Sequence, residues 1–560
     1  MVSSSTTGTP FPKWQIAIAL GTTGAIGLGY WYLKNTKNSR KTKITDVNGK
    51  SITTSASNVT TDENLTPLKR AQLHKTDGNN SFVAGKYDEA ISHYNKAIET
   101  CPKEKKIDLA TFYQNRAAAY EQLKKWSAVK EDSTRALELN PTYIKALYRR
   151  AKACEATNDL VQALEDITEV CILEKFNNQT TLYMADRVLR QLGAKHAKEA
   201  MKSRKPIMPS KHFIKVYFST FTEDPVLKYL KDDGKLKDGT HGFARAIAAM
   251  KKQSYDDIIS ACTEEIDSSE SEAQFKLESQ LLRGTFYLLV GRHQDALTDL
   301  QAIIDNKEAE VKLRVNALIK MAALNMQLEN SNQSMVNFEE AFKLDASNCD
   351  LFHHRAQVNL LLGNLTAARD DFQKAVDINP NYAVAHAQKC YAEYRQAVGN
   401  MDVEKLQSVM LDFEKLTKKF PDCCECYALY AQALTDQQKY EDADQFFQRT
   451  IEADPDNPTV YVQRAVLQLQ WNSDMDKSIQ LIHKALEIDE KCEYAYEALG
   501  TIEIQRGNLS KAIELFEKAL VLAKNETEMT HLFSLKDAAV AQQKISEKLG
   551  LEHSAFVLNS

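Results

Sequence analysis

The sequence predicts an all-α fold: a superhelical solenoid of about eleven helical hairpins in two blocks, preceded by a single transmembrane helix. Three observations predict it. Gly and Pro are scarce, 19 and 12 among 560 residues, which favours long helices with short turns. A pattern of small and large residues recurs with a period of about 34 residues. Near its start the chain also carries a long stretch without a charged side chain.

That stretch, "WQIAIALGTTGAIGLGYWYL", covers 14–33. A helix of this length spans ~30 Å, one hydrocarbon core. Trp14 at one end and Tyr30, Trp31 and Tyr32 at the other suit the two membrane interfaces. Lys34, Lys37, Arg40, Lys41 and Lys43 follow it and only Lys13 precedes it, so the bulk of the chain is expected on the cytosolic side with residues 1–13 as a short tail across the membrane. A cleavable signal peptide would carry its charge on the other flank and small residues at its end. Residues 34–70 are polar and poor in apolar side chains, as a solvated tether would be.

The repeat begins at "GNNSFVAGKYDEAISHYNKAIETCP". Gly78, Phe82, Gly85, Tyr87, Ala90, Tyr94, Ala97 and Pro102 take positions 8, 12, 15, 17, 20, 24, 27 and 32 of a unit. The frame returns at Ala117, Trp126 and Ala136, at Ala151, Ala163 and Ile167, and downstream at Gly500, Ala512, Phe516 and Ala519. This is the tetratricopeptide (TPR) pattern: small residues let two helices approach, large ones fill the gap, and proline ends the second helix. Three units are predicted within 71–177 and about eight within 242–525, with an irregular joint over 178–241 and a capping helix and tail over 526–560. One unit cannot bury its own apolar face, so neighbours stack and leave a concave groove.

The first helix of each unit lines that groove. In the first block this places Lys75 and Asn79, then Asn115, then Lys145 and Arg149 on one concave surface. Lys145 and Arg149 share a helix face and would repel without an anion opposite. Three cations and two carboxamides suit a ligand with two carboxylates. Arg150, one position further round, is expected to pack or to face solvent. In the second block the same geometry nominates Asp350, His353 and Gln357, then Glu425 and Gln432, then Val462, Val466 and Leu469, then Tyr494 and Glu497 as a groove for an amphipathic basic helix. Glu425, Gln432, His353 and Tyr494 are the principal candidates.

Other chemistry is not expected. A net charge of −5 gives no sign of nucleic-acid binding. No phosphate-binding loop, nucleophile–base set or paired carboxylates stand out, so the chain is not expected to be an enzyme or to carry a cofactor. The cluster Cys423, Cys424 and Cys426 lacks a second ligand group, the histidines show no ligand spacing, and no metal is expected. The ten cysteines suit free thiols in a reducing compartment.

Lys75-x3-Asn79, Asn115 in "YQNRAAAY" and Lys145-x3-Arg149 resemble the dicarboxylate clamp of chaperone-binding TPR domains. That resemblance implies capture of the C-terminal Glu-Glu-Val-Asp of cytosolic heat-shock chaperones of the 70- and 90-kDa classes. The segments "TFYQNRAAAYEQL", "ALYRRAKA", "YALYAQALTDQQ" and "GTIEIQRGN", with the whole layout of anchor, tether and two blocks, resemble the family of 70-kDa import receptors of the mitochondrial outer-membrane translocase. This implies a single-pass protein of that membrane. It implies as partners the chaperones, hydrophobic preproteins such as metabolite carriers with internal signals, and other translocase subunits. The alternatives are a chaperone-docking scaffold on another cytosol-facing membrane, such as the endoplasmic reticulum, and a regulatory arm of an enzyme.

Overall fold

The computed structural model describes residues 65–230, 241–268 and 274–551. The expected tail, anchor and nearly all of the tether lie outside the described residues. Among those described, no helix is long and apolar enough to cross a membrane.

Twenty-five α-helices follow one another with no strand among the described residues. They are α1 Pro67–Val83, α2 Tyr87–Thr100, α3 Lys106–Gln122, α4 Trp126–Leu139, α5 Ile144–Ala156, α6 Leu160–Leu173, α7 Gln179–Ser203, α8 Lys211–Ser219, α9 Gly242–Lys252 and α10 Ile258–Asp267. Then come α11 Lys276–Val290, α12 His293–Asp305, α13 Val311–Gln327, α14 Ser331–Leu344, α15 Cys349–Leu361, α16 Leu365–Ile378, α17 Ala383–Gly399 and α18 Val403–Lys419. The last are α19 Cys424–Asp436, α20 Tyr440–Ala453, α21 Pro458–Asn472, α22 Met475–Ile488, α23 Glu493–Gln505, α24 Leu509–Leu522 and α25 Glu526–Leu549. Among the described residues two compact units form: one from 65–196 with 503–513 and 530–551, the other from 197–502 with 514–529. All ten cysteines are free and all but Cys423 and Cys424 are buried.

In the first unit, three helical hairpins stack from α1 to α6. Their spacing follows from the pattern of small residues. A Cβ on Gly78 would lie 2.6 Å from the Tyr94 ring, so only glycine lets α2 lie this close to α1. In the second and third hairpins an arginine reaches across to an aspartate 16 residues on. Arg116 grips Asp132 at 2.7 and 2.6 Å, and Arg150 grips Asp166 at 2.7 Å through both nitrogens. Arg150 is therefore a packing residue. Leu164, Ile167, Val188, Leu192 and Ala541 share one buried cluster, so α25 covers the end of this stack. Lys544 meets Glu165 at 2.5 Å, Lys548 meets Glu169 at 2.6 Å and His196 meets Asp537 at 2.9 Å.

In the second unit the same clasp recurs as Arg283–Asp299 and Arg355–Asp371, at 2.7–2.8 Å. Here a segment without repeat periodicity lies inside the array. The apolar run from Phe213 to Phe221 must be buried, and Tyr217, Phe218 and Phe221 enter the core beside Phe286 and Leu351. Beyond them the backbone amides of Thr222 and Glu223 and the Thr222 hydroxyl donate to the Asp350 carboxylate at 2.7–3.0 Å. The Tyr382 hydroxyl donates to the Thr220 carbonyl at 2.8 Å. Lys320 and Asp224, both buried, pair at 2.7 Å, with Lys320 over the Phe218 and Phe221 rings.

This segment buries His353 and His354 completely. Burial, reinforced by Lys320, pushes His354 down to about 3, and burial beside His354 drives His353 well below the usual imidazole range. Below pH ~6.5 an unfolded chain takes up protons on both rings that the folded chain refuses. Stability should therefore fall as pH drops from ~6.5 towards ~3, with a slope of up to ~1.4 kcal/mol per pH unit for each histidine. Denaturant titrations across this range check the slope, and replacing both rings by phenylalanine should flatten it.

Candidate functional site

The first-block candidates come from three consecutive hairpins. Lys75 and Asn79 sit one turn apart on α1, Asn115 on α3, and Lys145 and Arg149 one turn apart on α5. Asn79 and Asn115 are in direct contact. The Asn79 Oδ1 accepts from Asn115 Nδ2 at 3.1 Å and from the Tyr94 hydroxyl at 2.8 Å. Tyr94 is the ring that fills the space above Gly78, and its burial raises the phenol to about 12, so it stays a donor. With its oxygen doubly engaged, Asn79 keeps its NH2 for an acceptor from outside; that group has no partner among the described residues. Tyr94 was not among the residues expected to shape the site. Removing its hydroxyl should free the Asn79 amide to turn and weaken carboxylate binding about fivefold, by ~1 kcal/mol. Titration of Tyr94→Phe with a C-terminal chaperone peptide measures this.

The cations differ from one another. Lys75 is half-buried, Lys145 is exposed, and neither has a hydrogen-bond or ion-pair partner among the described residues. Arg149 does have one. Its Nε donates to Glu121 Oε2 at 2.7 Å and its NH1 lies 3.4 Å from the Gln114 carbonyl. Lys152 joins the same Glu121 carboxylate. Burial alone would raise the Glu121 carboxyl, but the hydrogen bonds from Lys152 and Arg149 outweigh it and hold the group below the usual range. Part of the anion that Lys145 and Arg149 required is thus supplied by α3. Glu121 anchors one edge of the Arg149 guanidinium and leaves NH2 for another acceptor.

The second-block candidates are not equivalent. His353 is a correction: it has no exposed surface and packs against Tyr382 at 5.0 Å and Phe372 at 5.7 Å, so it lines no groove. Asp350 and Gln357 are buried with it, and Val462 and Val466 belong to the core. The reason is common to the α15 residues: the Thr220–Asp224 stretch occupies the hollow that repeat geometry alone would leave open. Glu425 on α19 remains half-buried and accepts from Gln388 Nε2 at 3.4 Å. Gln388 in turn accepts from Gln357 at 3.4 Å, so a polar row runs across three hairpins. Gln432 donates to Asp436 on its own helix at 3.1 Å. Tyr494 is half-buried beside the Val462 and Ala498 cluster, and burial raises its phenol.

Tetratricopeptide-repeat family models match residues 350–382, 494–526 and 412–458. The human mitochondrial import receptor subunit TOM70 is 46% identical over 97% of this chain and 93% of its own length. The chain belongs to the TOM70 family. Its members are named import receptors, not enzymes. TOM70 of Saccharomyces cerevisiae is 27% identical over 85% of this chain and 81% of its own. The crystal structure of yeast Tom70 is 25% identical, covers 86% of this chain and 98% of that one, and has a TM-score of 0.48.

Proposed function

We propose that this TOM70-family chain is an import receptor of the mitochondrial outer membrane that docks cytosolic chaperones and accepts their cargo. Lys75, Asn79, Asn115, Lys145 and Arg149 hold the terminal carboxylate and Asp side chain of the Glu-Glu-Val-Asp tail of 70- and 90-kDa heat-shock chaperones. The Asn79–Asn115 contact carries this reading, since it joins the first two hairpins at the point where two NH2 groups can meet a carboxylate. A free C-terminus is captured through such donors together with flanking cations.

Glu425, Gln388, Gln432 and Tyr494 contribute to a groove for hydrophobic preproteins, metabolite carriers among them, which then pass to other translocase subunits. Residues 14–33 anchor the chain by a single span, with the repeats in the cytosol. Family membership favours this over a scaffold on the endoplasmic reticulum. Crosslinking from isolated mitochondria should recover both a chaperone and translocase subunits; recovery of neither from mitochondria, with the chain on another membrane, would contradict it. Peptide affinity should fall severalfold between 0.05 and 0.5 M salt, as a largely ionic contact requires.

A further inference from the structure

The first hairpin departs from the next two at the positions of the Arg–Asp clasp. Arg116 and Asp132 in the second hairpin and Arg150 and Asp166 in the third stand at positions 7 and 23 of their units. In the first unit those positions are Asp77 and His93, again one on each helix. His74, one turn before Asp77 on α1, faces the same way. A ligand atom from each of His74, Asp77 and His93 lies within 4.8 Å of the other two. No hydrogen bond joins these side chains, and His93 Nδ1 is buried without a partner among the described residues. The guanidinium that ties the second and third hairpins together is therefore replaced by two imidazoles and a carboxylate that share a space but do not satisfy one another.

We propose that His74, Asp77 and His93 bind a divalent cation of the zinc class. Two imidazole nitrogens and one carboxylate oxygen suit a borderline metal and not the all-oxygen shells of calcium or magnesium. Tetrahedral bonds of about 2.0–2.2 Å put neighbouring donors roughly 3.4 Å apart. The exposed Asp77 and half-buried His74 can turn the remaining distance, and a water completes the shell. The cation would fasten α1 to α2 as the arginine clasp fastens the second and third hairpins. It would also fix the helix that carries Lys75 and Asn79, the next residue after His74 and the residue one turn on. The sequence hid this site because its histidines lie on different helices, without the spacing of a contiguous metal motif.

The test uses the full chain in detergent, titrated with zinc alone against a competing chelator, and hydrogen exchange over residues 67–100 with and without zinc. The wild type should take up one equivalent more than Asp77→Asn, at least tenfold tighter than any residual binding there, and zinc should slow exchange in α1 and α2 at least tenfold. Asp77→His, which keeps a ligand, should retain both effects, and Asp77→Asn should lose both while remaining folded. Equal zinc uptake by wild type and Asp77→Asn, or exchange in α1 and α2 indifferent to zinc, would overturn the proposal.

Discussion

Arg149→Ala is expected to abolish detectable binding of a Glu-Glu-Val-Asp peptide while leaving helical content unchanged. Of the three cations of the proposed clamp, Arg149 alone has its direction fixed by a carboxylate among the described residues, through its 2.7 Å bond to Glu121. A pre-aimed guanidinium loses little freedom when a ligand arrives, whereas Lys145 is exposed and Lys75 is held by no partner among the described residues. Its side chain is only 19% exposed, so the ion pair it would make with the proposed ligand is largely shielded from water. Losing one partner of such a pair costs about 2–5 kcal/mol, a factor of roughly 30 to several thousand. The fold should survive because Glu121 keeps Lys152 and is not left as a buried lone charge. Calorimetric titration paired with circular dichroism checks both halves. Retained affinity would remove Arg149 from the clamp.

The largest stability effect is expected at Asp224. Its carboxylate sits 2.7 Å from Lys320, with side chains 0% and 1% exposed. Burial holds the Lys320 ammonium below its usual range, with Asp224 opposing that shift. Asp224→Ala would strand this ammonium among the Phe218 and Phe221 rings and cost about 3–5 kcal/mol. It also removes the acceptor of the Val226 amide, at 2.8 Å. Lys320→Met alone strands the carboxylate. The double variant should be less destabilised than the sum of the two, because breaking a buried pair is worse than deleting it. Denaturant unfolding of all four proteins measures this; simple additivity would mean that the pair is not coupled. The same experiment asks whether the segment at 217–224 holds the second unit together.

How far the sequence reached depends on how local each contact is. Gly78 against Tyr94, or Gly500 with its missing Cβ 2.7 Å from Phe516, are contacts inside one hairpin, so a period of about 34 residues exposes them. That is why the helical array could be read from spacing alone. His353 failed for the opposite reason. Its neighbourhood depends on Thr222 and Asp350, which are 128 residues apart, and no periodicity reports such a contact. The Arg–Asp clasps had a visible signal: Arg116 and Arg150 each precede a small residue at position 8 and recur one period apart. Glu121 had none: position 12 of a first helix can reach the groove, but nothing in the spacing pairs it with Arg149, 28 residues on. Of the expected clamp, the Asn79–Asn115 contact follows directly from stacking consecutive hairpins, whereas the tuning by Tyr94 needs the coordinates.

In the proposed complex two carboxylates on one chain terminus meet these five side chains together. Its most direct test is calorimetric titration of the full chain with a peptide ending in Glu-Glu-Val-Asp, in parallel with the same peptide carrying a C-terminal amide. The free acid should bind, and amidation, which removes one charge and leaves the Asp side chain in place, should weaken binding at least tenfold. Equal affinity for the two peptides would contradict it.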